Sequence, residues 1–514
     1  MENKKFVKGA LILIVFNIIG KIVGAVYKIP LANILGPVGI GKYQLVFPLF
    51  ALLLAVSTSG VPVAISKLVA EYNSNRQFGD AKRLIKLSIF YLFLISMVCM
   101  AVVVIFAKPI SNLQGNSDIY VCYYSIAPAV LFVGLISVFR GYFQGNLMML
   151  PTAISNLTEQ VGKLIFGLYF VNKLIGKGVV FGVVGAILGI VVSEFISLLF
   201  LFFYYIFYRR KHKQMYVLSL SRKDISKRLF STAIPITLGG IVAPITSIID
   251  SLLVVNILIF TGFSSAKATA LLGIQAGIVE PIINIPIIIA VSISASLLPN
   301  ITKAFIEKKD EEIKQLIEKA FQITLSVSFA CAICFVIFGK QIFVFLYGNI
   351  LRDSEINIAS KLLFIGGINL TLLSLVQVSA GILHGMGKQK LTAKTMVIGC
   401  VVKIALTFVL VSVKQVNIYG AMMSGAISYF IVFVINYGEI KKHNSARIYK
   451  ILYNISIQEC FVCLFAFFSN YLFKISFGGN IALIVGGFTA IVIFLITYYV
   501  LFLIDKSNKI ISTW

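Results

Sequence analysis

The chain has 514 residues, of which 59% are hydrophobic and 12% charged, and its formal net charge is +26. About a quarter of the residues in a soluble domain are charged, so a soluble chain of this composition could not cover its surface with polar groups. The basic residues form short clusters between apolar runs of roughly twenty residues, the length that a bilayer core demands of a helix. The positive charge therefore indicates membrane topology, and we expect no nucleic-acid partner.

The apolar runs predict an all-α membrane protein with about fourteen transmembrane helices. In chain order the predicted spans are 7–33, 43–70, 87–107, 121–145, 152–173, 179–207, 230–259, 270–300, 321–339, 359–386, 391–413, 419–438, 452–473 and 480–503. The first run has no small-residue cleavage site, so we interpret it as an uncleaved span and not as a signal peptide.

The distribution of Lys and Arg predicts the orientation. Of the 45 such residues, 29 fall on the side of the N-terminus, and the positive-inside rule assigns the richer side to the cytoplasm. Both termini are then cytoplasmic. The segment 303–320 has the pattern of an amphipathic helix on the inner membrane surface.

Two CxxC pairs, Cys331 with Cys334 and Cys460 with Cys463, lie inside apolar spans without a nearby histidine. Zinc or redox chemistry is one reading of such spacing. In these spans we interpret the cysteines as small hydrophobic residues, and we predict no metal site.

The chain repeats itself internally. Gly141 and Gly145 match Gly381 and Gly385 at an offset of 240 residues, as Lys163 matches Lys403. Further matches at similar offsets pair Gly185-Ala186 with Gly420-Ala421, Ser193 with Ser428, and the set Ser57, Ser59 and Pro62 with Ser294, Ser296 and Pro299.

The repeat unit spans six helices, an even number, so the two halves share an orientation. We predict two six-helix bundles related by a pseudo-two-fold axis along the membrane normal, with two additional C-terminal helices. The predicted domains are an N-terminal lobe with a basic cytoplasmic linker at 1–229, a C-terminal lobe at 230–445, and the two extra helices at 446–514.

Charged residues inside spans are costly and mark functional sites or buried partners. They are Lys21, Lys28, Lys67, Arg140, Glu159, Lys163 and Glu194 in the first half, and Asp250, Glu280 and Lys403 in the second. The first bundle is thus cationic and suits an anionic substrate, whereas the second is acidic.

Structural readings compete for several of these charges. Glu159 and Lys163 have the i,i+4 spacing of a helical ion pair, Lys28 is placed to snorkel, and Arg140 lies near the cytoplasmic end of its span. Lys21 is the hardest to explain structurally, because it lies near mid-span between Gly20 and Gly24.

Prolines predict broken helices in spans seven and eight, at Pro235, Pro244, Pro281 and Pro286. Asp250 and Glu280 lie in the same two spans. We therefore expect these acids to bind a coupling sodium ion or proton, with membrane potential as the alternative driving force.

At four motifs the sequence resembles the multidrug/oligosaccharidyl-lipid/polysaccharide exporter superfamily, and within it the polysaccharide and lipid II flippases of the MurJ and SpoVB type. The motifs are NIIGKIVGAVYKIPLANILG (17–36), SGVPVAISKLVAEYN (59–73), FRGYFQGNLMMLPTAISNLTEQVGK (139–163) and ISASLLPNITKA (293–304). Their order and the six-six-two division match over essentially the whole chain.

The resemblance implies a flippase in the cytoplasmic membrane of a bacterium. It would move an undecaprenyl-pyrophosphate-linked glycan, such as lipid II or a related polysaccharide or cortex precursor, by alternating access. The glycan, and a sporulation or vegetative role, stay open. Beyond a coupling ion no cofactor is expected, and the expected partners are the lipid-linked oligosaccharide and the bilayer around a monomer.

The resemblance also implies site residues. Lys21 occupies a position where the family often has an Arg that binds pyrophosphate, and Lys supplies a point charge without the bidentate fork. With it we predict substrate-binding roles for Lys28, Arg140, Lys163 and Glu159. Glu280 departs from the pattern, because some MurJ-type proteins carry Arg near that position.

Two other function classes compete. A multidrug or metabolite cation antiporter of the same superfamily needs an acidic cavity, which Asp250 and Glu280 fit and Lys21 and Arg140 do not. A membrane enzyme needs acid and base groups on an exposed outer segment. The outer loops are short, with Asp118, Arg352, Asp353 and Glu355 as their few candidates, so we predict that the protein is not an enzyme.

Overall fold

The structure is a computed structural model that describes residues 2–211 and 219–443, together with Cys463, Leu464 and Phe467. The described residues form α-helices with short 3-10 and π-helical turns, and no strand occurs among them. They group into two compact units that divide after Gly273. Apart from three residues, the predicted last two spans and the domain 446–514 lie outside the described part.

The first unit contains ten α-helices. They are α1 Glu2–Thr58, α2 Val61–Ser74, α3 Phe78–Leu113, α4 Tyr120–Gly145, α5 Met149–Gly162, α6 Leu168–Leu174, α7 Val179–Lys211, α8 Arg222–Gly240, α9 Val242–Phe260 and α10 Ser265–Leu272. A π-helical turn, Lys163–Gly167, joins α5 to α6. Buried side chains such as Tyr72, Leu84 and Val138 form its apolar core.

The helix α1 runs through the boundary that we predicted between the first two spans. Its two parts meet at a kink at Gly36, where φ is 68° and ψ is 175°. Glycine tolerates this left-handed φ, and Pro37 after it donates no backbone hydrogen bond. The predicted second span, 43–70, is itself divided between α1 and α2 at Ser59 and Gly60.

The predicted seventh span is also divided, as its prolines indicated. It forms α8 and α9, which meet at Ile241. Ser221 caps α8 by accepting a hydrogen bond from the Asp224 backbone N–H at 3.2 Å. Within this unit α8 packs against α2 and α9 against α1. The domain boundary at 229/230, which came from the repeat, stays a prediction.

A π-helical stretch, Gly273–Val279, begins at the last residue of the first unit, and the second unit begins at Ile274. Its α-helices are α11 Glu280–Ile306, α12 Asp310–Tyr347, α13 Asp353–Gly385, α14 Gln389–Ser412 and α15 Ile418–His443. Ile301, Phe321 and Leu383 lie in its apolar core. The residues 303–320 do not form a single helix, because they end α11 and begin α12. Their place at the inner membrane surface stays a prediction.

Nine helical segments of the described chain are long and apolar enough to cross a bilayer, and Pro244–Phe260 is a shorter apolar helix. Large apolar side chains lie on their surfaces, including Ile105, which is 69% exposed. Lipid is the solvent that such a surface requires. The prediction of an all-α, multi-pass membrane protein is confirmed, whereas the count of fourteen spans stays a prediction.

Close helix contacts support the repeat. A Cβ atom at Gly185 of α7 would lie 2.6 Å from the Phe170 carbonyl oxygen, and one at Gly420 of α15 would lie 2.8 Å from the Leu410 carbonyl oxygen. Phe170 and Leu410 are 240 residues apart, the offset that the sequence predicts for this region. The same close crossing therefore occurs once in each unit.

The contacts also correct one register. A Cβ atom at Gly145 would lie 2.7 Å from the Ser66 carbonyl oxygen, and one at Gly385 would lie 3.3 Å from that of Leu298. Gly141 and Gly381 approach the carbonyls of Pro62 and Ser294 in the same way. These contacts pair α2 with α11 at an offset of 232, so the predicted match of Pro62 with Pro299 was wrong.

Candidate functional site

The first unit contains a buried polar network between α4, α5 and α7. Arg140 of α4 donates from Nη2 to Ser155 Oγ at 2.7 Å, and from Nε to the same oxygen at 3.1 Å. Its Nη2 also forms an ion pair with Glu159 of α5. Ser197 of α7 lies 2.8 Å from Ser155 Oγ and donates to Glu159 Oε1 at 3.3 Å. Three helices are therefore joined through one guanidinium and one carboxylate.

A second ion pair joins the π-helical turn after α5 to α7. Lys163 Nζ lies 3.3 Å from Glu194 Oε1, and only 3% of the Glu194 side chain is exposed. The helices approach closely here, because a Cβ atom at Gly162 would lie 2.6 Å from Ser193 Cβ. The other Glu194 oxygen, Oε2, has no hydrogen-bond partner among the described residues.

Together these four charges cancel. The i,i+4 spacing suggested that Glu159 and Lys163 pair with each other, but the structure gives Glu159 to Arg140 and Lys163 to Glu194. A buried charge needs such a partner, because removing one member of a pair leaves an uncompensated charge in a medium of low polarity. Arg140 and Lys163 thus contribute little net positive charge to the first unit.

Lys21 lies outside this network, on α1. Its side chain is exposed, and within the part of the chain that the structure describes it forms no ion pair. The α1 segment around it is docked on α5, where Asn156 Nδ2 donates to Asn17 Oδ1 at 2.8 Å. On either side of Lys21, Gly20 and Gly24 lie against the Gln160 side chain.

Lys28 is half-buried on the same helix. It lies two turns after Lys21, so the two lysines share one side of α1. The adjacent Tyr27 is buried, and a Cβ atom at Gly167 would lie 2.6 Å from its hydroxyl. The α1 helix therefore stays in contact with the α5–α6 region from Asn17 to Tyr27.

The two predicted ion-coupling acids lie in different units. Asp250 is half-buried on α9 in the first unit. Glu280 begins α11 in the second, where its Oε1 accepts a hydrogen bond from Gln275 Nε2 at 3.4 Å. Within the described ranges, no group of three His, Cys, Asp or Glu residues could hold a metal ion.

The structure brings together side chains that the sequence reasoning did not single out, namely Ser155 and Ser197 in the charge network and Asn17, Asn156 and Gln160 beside Lys21. One signal would have found the members on α5. Ser155, Asn156, Thr158, Glu159, Gln160 and Lys163 form a polar run inside a predicted membrane span. A run of this kind costs free energy unless its groups have partners or a ligand.

The family model for polysaccharide biosynthesis proteins matches residues 6–305. The chain belongs to this family. A second family model, MatE, matches residues 235–409, and the chain is a member of the multidrug/oligosaccharidyl-lipid/polysaccharide superfamily. The resemblance inferred from the four sequence motifs is thereby confirmed.

Two curated relatives come from Bacillus subtilis (strain 168). The lipid II flippase MurJ is 28% identical over 471 residues, covering 88% of this chain and 85% of the relative. The stage V sporulation protein B is 26% identical over 519 residues, covering 99% and 98%.

Two solved structures share the fold. A lipid II flippase MurJ in the inward closed conformation has a TM-score of 0.73 at 15% identity, over 96% of this chain and 99% of the other. An inward-facing multidrug resistance transporter of the MATE family has a TM-score of 0.64 at 16% identity, over 82% and 95%.

Proposed function

We propose that this protein is a flippase that moves an undecaprenyl-pyrophosphate-linked glycan across the cytoplasmic membrane by alternating access. Family membership and the similarity to a lipid II flippase support this proposal. Both termini would lie in the cytoplasm, the protein would act as a monomer without chemical catalysis, and the glycan would be a peptidoglycan, cortex or other polysaccharide precursor.

The observation that supports this proposal most is the exposed position of Lys21, without an ion-pair partner among the described residues. This lysine lies between two glycines, on a segment of α1 that polar side chains dock against α5. A cation at a membrane span without a carboxylate partner is costly unless it faces water or an anion. A pyrophosphate supplies that anion, and Lys28 on the same side of α1 would add a second contact.

The other three predicted substrate residues take a different role in this proposal. Arg140, Glu159 and Lys163 neutralise one another with Glu194 and fix α5 against α4 and α7. They would hold the surface on which α1 is docked and leave direct pyrophosphate binding to Lys21 and Lys28.

The energy for transport would be coupled through two acids that lie outside the ion-pair network of α4, α5 and α7. We propose that Asp250 and Glu280 bind a sodium ion or a proton, each within its own unit, and that this binding biases the transport cycle. A transport rate in proteoliposomes that is independent of both sodium and pH would contradict this role and leave membrane potential as the driving force.

The decisive experiment compares Lys21→Ala with Lys21→Arg in cells that depend on this protein for export of the glycan lipid. We expect Lys21→Ala to abolish complementation at normal membrane levels, and Lys21→Arg to retain it because the positive charge remains. Mass spectrometry of lipids that co-purify with the wild type and each variant identifies the substrate. Full activity of Lys21→Ala, or the absence of any polyprenyl pyrophosphate, would contradict the proposal.

A multidrug or metabolite cation antiporter is the second candidate, favoured by the MatE model match over 235–409. That segment contains Asp250 and Glu280, the acids that a cationic substrate would need. Rescue of drug sensitivity in a pump-deficient host, lost on Glu280→Gln and retained on Lys21→Ala, would support this function over the first.

A further inference from the structure

We propose that the Gln160 carboxamide is a second donor to the pyrophosphate, beside Lys21, and that Asn17 and Asn156 position the two groups together. The inference rests on the proposed function and names a substrate contact on α5. Four observations support this contact: the position of the Gln160 side chain against α1, the direction in which Lys21 points, the chemistry of the carboxamide, and the docking of α1 on α5.

The first observation is where Gln160 lies. A Cβ atom at Gly20 would be 3.4 Å from Gln160 Cγ, and one at Gly24 would be 3.1 Å from Gln160 Oε1. The side chain therefore extends along α1 from Gly20 to Gly24, past the position of Lys21. A Cβ atom at position 24 would crowd the carboxamide oxygen, whereas one at position 20 would make only ordinary contact.

The second observation is the direction of Lys21 around α1. At about 100° per residue, Lys21 points about 40° from Asn17 and about 60° from Gly24. Asn17 and Gly24 both face α5, through Asn156 and Gln160. Lys21 therefore leaves α1 along the edge of the α1–α5 contact, on the side where the Gln160 carboxamide ends.

The third observation is chemical. A carboxamide presents two N–H donors and one acceptor, and within the described part of the chain the Gln160 amide takes part in no hydrogen bond. Gln160 is half-buried, and an amide group that is removed from water without a hydrogen-bond partner costs free energy. The neighbouring Glu159 is already paired with Arg140, so a carboxylate does not compete for these donors. A pyrophosphate oxygen satisfies them and, at the same time, the Lys21 ammonium.

The fourth observation is how the pair is held. The Asn156–Asn17 hydrogen bond of 2.8 Å docks α1 on α5 one turn before Lys21. The helix α5 is in turn fixed to α4 and α7 through Ser155 and Glu159. Lys21 and Gln160 are thus arranged before the ligand arrives, which lowers the ordering cost of binding.

The test is a charge series at Gln160 in the purified full-length protein, with undecaprenyl pyrophosphate as the probe and undecaprenol as the lipid without a headgroup. Native mass spectrometry gives the bound fraction. We expect Gln160→Met, which keeps the length and removes the donors, to weaken pyrophosphate binding about tenfold. Gln160→Glu should abolish it, Gln160→Lys should retain or strengthen it, and undecaprenol binding should stay unchanged throughout.

Two matched controls separate contact from packing. Gly24→Ala displaces the carboxamide oxygen, whereas Gly20→Ala meets only ordinary contact, so only the former should weaken binding. In a double-mutant cycle, Asn156→Ala should weaken binding in the wild type and add little in the Gln160→Met background, because it acts through the position of Gln160.

Equal binding by Gln160→Glu, Gln160→Met and Gln160→Lys would overturn the inference, since a packing role does not depend on the sign of charge. If Lys21→Ala weakens binding while the Gln160 series has no effect, the inference fails and the proposed function stands. If Lys21→Ala binds the pyrophosphate as the wild type does, the proposed function itself fails.

Discussion

The fifth helix of the first repeat and its counterpart in the second are held by different chemistry. In the first unit, Ser155 of α5 bonds a guanidinium, and charged side chains join α5 to α4 and α7. Its counterpart Thr395 of α14 donates to Asn436 Oδ1 at 2.9 Å, and Asn436 Nδ2 donates to Ser379 Oγ at 3.2 Å. The second network also joins three helices, but all its members are neutral.

The rest of the charge network is replaced in the same way. At the repeat offsets of 240 and 235, Arg140, Glu159, Glu194 and Ser197 correspond to Ala380, Gly399, Tyr429 and Val432. Packing fills the space of the lost charges, since a Cβ atom at Gly399 would lie 2.5 Å from Val432 Cγ2. Lys163 alone keeps its charge, as Lys403.

The comparison shows that this helix arrangement does not require ion pairs. A buried pair is in general no more stabilising than well-packed apolar residues, and the second unit uses the apolar solution. The first unit keeps four paired charges, on α4, α5, the turn after α5 and α7, and α5 is the helix that docks the Lys21 segment. Their retention there is explained by positioning α5, in line with the proposed function.

The largest effect should come from removing one member of the Arg140–Glu159 pair. Arg140→Ala leaves Glu159 buried without its cation, which costs about 3–5 kcal/mol. The free energy of unfolding in mixed micelles containing SDS measures this loss. The matched control imports the second unit's residues, as Arg140→Ala, Glu159→Gly and Ser197→Val together. We expect the triple variant to unfold less easily than Arg140→Ala alone, and the opposite order would contradict the comparison.

A smaller difference should separate the two lysines. Lys163→Ala leaves the 3%-exposed Glu194 carboxylate without its cation, whereas Lys403→Ala acts where Glu194 is replaced by Tyr429. We expect Lys163→Ala to lower the free energy of unfolding by at least about 1–3 kcal/mol more than Lys403→Ala. Adding Glu194→Gln to Lys163→Ala should recover much of that loss; if it recovers none, the ion pair is not the cause.

Much of this fold was predictable, and so were the charges of the site. The lengths of the apolar runs predicted the helices, because each span must satisfy its backbone hydrogen bonds inside the bilayer. The free-energy cost of a charge in lipid singled out Arg140, Glu159 and Lys163. Hydropathy did not reveal that the first two predicted spans are joined in one helix, α1, which is kinked at Gly36 beside Pro37. The register of α2 was misjudged because Ser and Pro recur by chance in this composition.

The partners of the charges were less predictable. Spacing along one helix suggested that Glu159 pairs with Lys163, but α4 and α7 bring Arg140 and Glu194 closer. Contacts between helices far apart in sequence depend on how the helices cross, which local periodicity does not contain. The contact of the Gln160 side chain with Gly20 and Gly24 is also of this kind.

The two units share a close helix crossing, at Gly185 in the first and at Gly420 in the second. Gly185→Ala and Gly420→Ala each place a Cβ atom within 3 Å of a carbonyl oxygen on the facing helix. We expect each to lower the free energy of unfolding by about 1–3 kcal/mol through overpacking. The two losses should agree within about 0.5 kcal/mol. Gly176→Ala, where nothing lies within 4 Å of the new Cβ atom, is the control, and a loss in one unit alone would contradict equivalent packing.

The smallest expected effect concerns the hydroxyls at the centres of the two networks. Thr395→Val keeps the shape of the side chain and removes its bond to Asn436, which should cost about 0.6 kcal/mol, a typical value for a hydrogen bond between membrane helices. Ser155→Ala should cost more, because it removes an acceptor from the Arg140 guanidinium and bonds to charged groups are about twice as strong.

Ser412→Ala provides the baseline, since that exposed hydroxyl bonds the Phe408 carbonyl of its own helix. Unfolding measured on all three variants under one condition gives the comparison directly. Equal losses for Ser155→Ala and Thr395→Val would mean that the guanidinium finds another acceptor when Ser155 is removed. In that case Ser155 would not be the centre of the charged network, and Glu159 alone would hold Arg140 to α5.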